Sequence, residues 1–435
     1  MQLSEFKRRR RELMRMMGPG SIAILPTAPL LIRNRDVHYP YRPDSDFFYL
    51  TGFPEPQAVL VLIPGRKQAE YIMFNRESDP VKEQWDGARA GQEGACREYG
   101  ADDSFPIGDL NDILPRMLEQ CERIFYMMGC NPSFDKMLSE WINTIRCESR
   151  SSVQGPVEII ALDHYLHEMR LYKSRSELKV MRQAARISAK AHKKVMQACK
   201  PGVWEYQLEA EFVRECCYQG ARAQAYPPII GAGTNACTLH YIDNNERAQT
   251  GQMLLIDAGC ELEYYASDIT RSYPVNGRFS EPQRQLYELV LAAQEAAISK
   301  IKPGNNWNDP HVAAVRTITR GLIKLGIIKG TLAKAIREEK YKPFFPHRTG
   351  HWMGMDVHDV GDYKVDGAWR LFEPGMVMTI EPGLYIPAGS KGVAKKWWDI
   401  GIRIEDDAVV TKEGCEVLTK DAPKTVAEIE AIMAA

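Results

Sequence analysis

The sequence predicts an α/β chain in two parts, an N-terminal α/β domain over residues 1–168 and a pseudo-symmetric α+β domain over residues 169–435. Three observations carry this expectation. The chain has 435 residues, whereas a single hydrophobic core stops growing near ~250–300 residues. The first part alternates strand-like and helix-like segments. The second part repeats one plan: residues 251–259 and 375–383 each run from a Gly through an apolar strand ending in Ile to an acid, then a Gly. That echo predicts a duplicated half, with Asp257 and Glu381 at the mouths of two buried strands and facing each other at the centre.

In the first part, apolar runs at 21–25, 47–52, 58–63 and 71–74 read as strands, and helical spacing appears near 109–121 and 133–145. The Gly/Ser/Pro-containing stretch 151–156 leads into charged residues, so the domain boundary is expected within 163–173. Ser176, followed by Glu177 and the helical set Leu178, Met181 and Ala185, reads as the capped start of a long helix over 177–198. Further helices are expected near 205–218, 283–300 and 310–325.

Composition excludes several classes. With 44% hydrophobic and 26% charged residues and a formal net charge of -1, the chain has no global attraction for nucleic acid. The basic run 7–11 reads as the solvated face of a first helix whose apolar positions are Leu3, Phe6, Leu13 and Met14. No run of 18 apolar residues and no secretory leader is present, which places the protein in the cytoplasm and off the membrane. The 10 Cys residues are scattered with no Cys-x-x-Cys pair, as expected of reduced, mostly buried thiols.

The chemistry concentrates in acids that end or interrupt apolar strands. Asp257 closes Met253-Leu254-Leu255-Ile256, and a buried carboxylate requires a metal, a cation or several hydrogen bonds. A hairpin turning at Leu262-Glu263 would set Asp268 directly opposite Asp257 on one face, where a cation between them would relieve the repulsion. Glu381 repeats the placing of Asp257. Alternation through 401–405 puts Arg403 and Glu405 on one face. Taken singly, each acid is better explained as a turn cap or a cross-strand ion pair. Together they are not, because three of the 9 His residues, His347, His351 and His358, fall within thirteen positions beside them. Oxygen-rich ligation with one imidazole suits Mn²⁺, Co²⁺, Fe²⁺ or Zn²⁺, and four carboxylates balance two divalent ions. The reaction implied is hydrolysis by a water held between two such ions.

These residues resemble the pita-bread metallopeptidases, within them the aminopeptidase P and prolidase group. The matching contexts are Ile256-Asp257-Ala258-Gly259, Ser267-Asp268-Ile269-Thr270-Arg271, His351-Trp352-Met353-Gly354 through His358-Asp359, Ile380-Glu381-Pro382-Gly383 and Arg403-Ile404-Glu405. The run from Tyr41-Arg42-Pro43 to Thr51-Gly52-Phe53 is similar to the aminopeptidase P side. The resemblance implies a pita-bread catalytic domain and a ligand set of Asp257, Asp268, His351, Glu381 and Glu405 for two divalent ions, with Mn²⁺ first in line. It implies that Asp257 and Glu405 touch both ions, that Asp268 is bidentate on one, and that His351 and Glu381 complete the other.

By the same resemblance Glu381 handles the proton of a bridging hydroxide, and His240 and His358 hold the substrate carbonyl and the intermediate. His347 lies at the proline pocket, and Arg403 orients the acids. The segment 85–87 can border a neighbouring subunit's site, in keeping with a homodimer or homotetramer. The implied activity is Xaa-Pro aminopeptidase, acting on peptides with an Xaa-Pro N-terminus. Prolidase, restricted to Xaa-Pro dipeptides, shares the ligands and stays open; a metal-free enzyme or binding module on this fold would have lost them. Arg348, where many relatives have Gly, and Met353, where a branched aliphatic residue is commoner, depart from the family pattern at the pocket.

Overall fold

The computed structural model describes residues 1–119, 121–147 and 155–434, so residues 151–154 of the Gly/Ser/Pro stretch lie outside the described residues. The chain divides into two units, Met1–Met169 and Arg170–Ala435.

The first unit is built on a six-stranded mixed sheet in the order Asp103–Pro106, Tyr71–Asn75, Val59–Leu62, Ser21–Pro26, Arg123–Tyr126, Glu158–Ala161. Its central strands are buried along their length. Ile22, Ile24, Val61, Ile72 and Phe74 form one core with residues of the helices Leu110–Leu118 and Pro132–Cys147.

Two expectations for this unit, and one for the whole chain, are corrected. Residues 47–52 were expected as a strand, but Ser45–Thr51 is an α-helix, because the Asp44 carboxylate caps the Phe47 N–H at 2.9 Å and Gly52 takes a left-handed φ of 68° at the other end. The basic run is only partly solvated. In the helix Leu3–Met17, Arg9 and Arg10 are buried. Their guanidinium groups donate to the backbone oxygens of Tyr49 and Leu50 at 2.9 and 2.7 Å, and each stacks on a tyrosine ring, Tyr49 and Tyr71, at 3.9 Å. Across the whole chain, the cysteines are free but not mostly buried: Cys121, Cys199, Cys216 and Cys260 are buried, while Cys130, Cys147 and Cys217 are exposed.

In the second unit the long helix Arg175–Ala198 starts two residues earlier than expected. Ser174, not Ser176, is its cap, since only the spacing from 174 to 177 lets Glu177 reach back to the Ser174 N–H at 2.8 Å and complete a capping box. This helix packs on Glu205–Tyr218, while Glu281–Ile298 packs on Asp309–Lys324. The internal echo becomes two related strand sets. Met253–Asp257 lies antiparallel between Ile229–Ala232 and Thr270–Pro274. Val377–Ile380 pairs antiparallel with Asp406–Val410, and Gly383–Ile386 with Ile400–Arg403. No described helix is long and apolar enough to cross a membrane.

Candidate metal centre

The hairpin that brings Asp268 to Asp257 is in a different register from the expected one. Asp257 pairs with Thr270, not Asp268, because the turn falls at Glu263 and Tyr264, both with positive φ (47° and 65°), the backbone that a two-residue hairpin loop requires. Thr270 therefore takes the place across from Asp257. Asp268 sits two residues earlier, where Gly259 and Ser267 cross so closely that a Cβ on Gly259 would stand 1.7 Å from the Ser267 oxygen. The two carboxylates still converge, joined by a residue the sequence reading did not single out: the Tyr226 hydroxyl lies 2.6 Å from Asp257 Oδ1 and 2.5 Å from Asp268 Oδ1.

His351 and Glu381 meet for a backbone reason. Residues 349–353 run alongside the strand Val377–Ile380, with the Thr379 N–H donating to the His351 oxygen at 3.0 Å and the Glu381 N–H to the Thr349 oxygen at 2.9 Å. Gly350 permits this approach, since a Cβ there would lie 2.0 Å from the Thr379 oxygen. His351 Nδ1 lies 3.0 Å from the Trp352 oxygen, so Nδ1–H donates and Nε2 faces Asp268 Oδ2 at 3.4 Å and Glu381 Oε1 at 4.0 Å. Glu405 enters just beyond Ile400–Arg403, its N–H donating to the Thr270 oxygen at 3.1 Å and its Oε2 accepting from the Thr270 hydroxyl at 2.6 Å.

Arg403 is beside the acids, as the strand alternation predicts. Its guanidinium donates to Asp257 Oδ2 at 2.6 Å, to the Thr270 hydroxyl at 3.1 Å and to the Tyr385 hydroxyl at 2.9 Å. The Tyr385 hydroxyl then lies 2.9 Å from His347 Nε2, while His347 Nδ1 is 2.7 Å from the Arg348 oxygen. Since Tyr385 accepts from Arg403, its proton is free for Nε2, and His347 is neutral with its proton on Nδ1. Burial and the Arg403 charge hold it down to about 4.

All nine expected site residues, the four acids and His351 together with His240, His347, His358 and Arg403, line one cavity of about 410 Å³, a size suited to a short ligand. Of these nine, His240 and His358 are the exposed ones. Each is held by a buried acid nearby. Glu205 accepts from the Ala232 and Glu246 N–H groups at 2.8 and 2.9 Å and from the Tyr241 hydroxyl at 2.8 Å, fixing the loop that carries His240. Asp359 pairs with Arg170 and, at 2.9 Å, with Lys173, fixing the residue after His358.

The donor set fits divalent ions. Ligand atoms of Asp268, His351 and Glu405 lie within 4.8 Å of one another, and Asp257 and Glu381 adjoin them through Tyr226 and His351. Among the protein groups alone, Asp268, Glu381 and Glu405 oppose ionisation. Burial, then Asp257, raises Asp268. Burial also pushes Glu381 up to about 7, with His351 and Arg403 opposing. Glu405 rises well above the usual carboxylate range through burial and the charges of Asp268 and Glu381. His351 is lifted to about 9: burial works against its charge, and Asp268 and Glu381 overcome it. The Asp407 carboxylate, two positions after Glu405, adds to the crowding; its Oδ2 accepts from the Asp268 N–H at 3.0 Å, and burial and the Asp268 charge raise it well above normal. Such a cluster is what a divalent cation relieves.

Strand-end acids sharing one imidazole on a duplicated α+β fold define a metallopeptidase. Residues 179–412 match Metallopeptidase family M24, and residues 6–126 match Aminopeptidase P, N-terminal domain. The chain belongs to metallopeptidase family M24, in its Xaa-Pro aminopeptidase group, and has the pita-bread fold of that family. It is 42% identical to the Xaa-Pro aminopeptidase of Escherichia coli (strain K12), over 99% of this chain and 98% of that one. The structure of aminopeptidase PepP from Pseudomonas aeruginosa superposes with a TM-score of 0.99 at 58% identity, covering 100% of this chain and 98% of that one. Zinc-substituted aminopeptidase P from Escherichia coli, solved in complex with product, gives 0.97 at 42% identity, covering 100% and 98%. The protein is a metallo-aminopeptidase, and its cluster of Asp, His and Glu is a site for divalent metal.

Proposed function

We propose that the protein removes the first residue from peptides with proline at the second position, using two divalent ions, Mn²⁺ in the first instance. The observation that carries this is the cluster of Asp257, Asp268, Glu381 and Glu405, to whose carboxylates Arg403 is the one arginine or lysine ion-paired among the described residues. When bound, the two ions would supply a hydroxide at neutral pH and neutralise the oxygen of a tetrahedral intermediate. Asp257 and Glu405 would hold both ions, Asp268 one, and His351 with Glu381 the other. Arg403 keeps the Asp257 carboxylate turned to its task, and Thr270 does the same for Glu405.

Glu381 would be the proton carrier, because its carboxylate lies at the edge of the cluster, 4.0 Å from His351 Nε2 and 3.7 Å from His347 Nδ1, where it can accept a proton from the attacking water and pass it to the leaving nitrogen. His240 and His358, exposed on the cavity wall, donate to the substrate carbonyl and to the oxygen that develops charge. Neutral His347, held by Tyr385, presents a ring face to proline. Proline has no N–H and a fixed φ, so a site that packs the ring does not need the strand-like pairing that general peptidases use. The similarity to Xaa-Pro aminopeptidases supports this substrate class, and we infer a cytoplasmic homodimer or homotetramer.

Metal-loaded protein should cut Ala-Pro-Ala after its first residue and spare Ala-Ala-Ala. Similar kcat/KM for the two peptides would overturn the proline assignment, and cleavage of Ala-Pro alone would make the enzyme a prolidase.

A further inference from the structure

We propose that the metal pocket continues into a second subsite, where Arg348 with Trp369 and Lys364 receives the C-terminal carboxylate of a short peptide substrate. The proposal rests on the peptidase reading above and extends it to the far end of the substrate.

Arg348 directly follows His347, the residue placed at the proline ring. It lines the metal cavity and also a neighbouring cavity of about 600 Å³ walled by Trp307, Tyr363 and Trp369. Arg348 therefore borders both, its backbone oxygen turned to His347 and its guanidinium to the second cavity's Trp369. The exposed guanidinium donates to Asn308 Oδ1 at 2.6 Å and stands 5.0 Å from the centre of the Trp369 ring. Lys364 Nζ stands over the same ring at 4.6 Å. No described acid is ion-paired with either cation; Asp362 lines the cavity but pairs with neither. Two like charges on one indole, neither ion-paired with an acid among the described residues, form a receptor for an anion.

The planar fork of an arginine matches a carboxylate in a two-point contact. Asn308 holds one arm of the fork and Trp369 backs its face, so less freedom is lost when a carboxylate arrives. The chain of a peptide whose proline lies against His347 leads past Arg348, and the aromatic walls offer contact to the residue after proline. A tripeptide brings its terminal carboxylate to the pair of cations; an internal peptide bond at that place brings no charge. Arg348 also stands where the family resemblance expects Gly.

The test compares Ala-Pro-Ala with its C-terminal amide, Ala-Pro-Ala-NH₂, on the full-length, metal-loaded enzyme. A charge-assisted contact of this kind predicts a preference for the free acid of roughly 10-fold or more in kcat/KM, carried mainly by KM. In Arg348→Ala the ratio should fall toward one, Arg348→Lys should keep part of it, and Lys364→Ala should reduce it less. Equal kcat/KM for acid and amide in the unmodified enzyme overturns the subsite while leaving the peptidase reading intact, as does an undiminished ratio in Arg348→Ala. Cleavage of neither peptide overturns the peptidase reading, and the subsite with it.

Discussion

Two sets of buried carboxylates in the second unit have opposite fates. Asp406 is fully buried, yet its acidity is increased: burial works against the charge, and Arg271 at 2.7 Å and Lys424 at 2.7 Å overcome it. Gln294 and Thr419 also donate to it, at 2.9 and 2.8 Å. Asp359 is held down in the same way by Lys173 and Arg170 against its burial. Glu405, the residue before Asp406, faces the other way and is pushed up, as are Asp268 and Glu381. The first set has its counter-charges built into the chain. The second is arranged so that the chain supplies too few, and this is the difference between a carboxylate that holds a fold and one that holds a metal.

The sharpest way to separate the sets within the metal site is Glu381→Gln, which keeps one ligating oxygen and removes the proton path. It should lower kcat by about 10²–10⁴, read on protein whose metal content has been verified; near-normal kcat would assign the proton to another group. Asp359→Ala probes the other set. Leaving Arg170 and Lys173 buried without their partner should cost about 3–5 kcal/mol of stability by denaturant titration, while the metal bound per folded chain is retained.

His358→Ala falls between the sets, removing a donor without touching a ligand. The expected loss is about 10²–10³ in kcat with both metals in place, and metal loss in this variant would make His358 a ligand instead.

The pH dependence of the chelated protein should also distinguish them. Glu381 is raised to about 7 and His351 to about 9 in the folded protein, so the native state binds more protons than the unfolded one at neutral pH. The stability these groups contribute is complete below their unfolded values and is lost as pH rises through 7 and then 9. Chelated protein should therefore melt at a lower temperature at pH 8.5 than at pH 5.5. Asp406 and Asp359 act in the opposite sense, contributing stability that is lost only as pH falls through their depressed values. A melting temperature that rises from pH 5.5 to 8.5 after chelation would contradict the charge assignment.

Much of this was legible in the sequence because strand periodicity is local. The echo at 251–259 and 375–383 located Asp257 and Glu381, and the alternation through 401–405 placed Arg403 next to the acids. The same period extends to Asp407 and, on the opposing strand, links Asp268 to Thr270, so both could have been read as members of the cluster. The hairpin register was misread because the turn depends on left-handed conformations at Glu263 and Tyr264, residue types that do not advertise them. Tyr226, just before the strand Ile229–Ala232, bridges two acids through tertiary contact and leaves no periodic signal. Tyr385 likewise acquires its role from pairing of Gly383 with Arg403 across strands. Ser45–Thr51 reads as β-forming from its aromatic run, and the caps Asp44 and Gly52 decided otherwise.

The central claim is that the acids around Asp268 are completed by divalent metal. Elemental analysis of the purified protein, before and after exhaustive chelation and in parallel with cleavage of Ala-Pro-Ala, tests it directly. Active protein should hold two divalent ions per chain, lose activity with their removal and recover it on adding Mn²⁺; full activity in protein shown to be metal-free would contradict a metal-completed site.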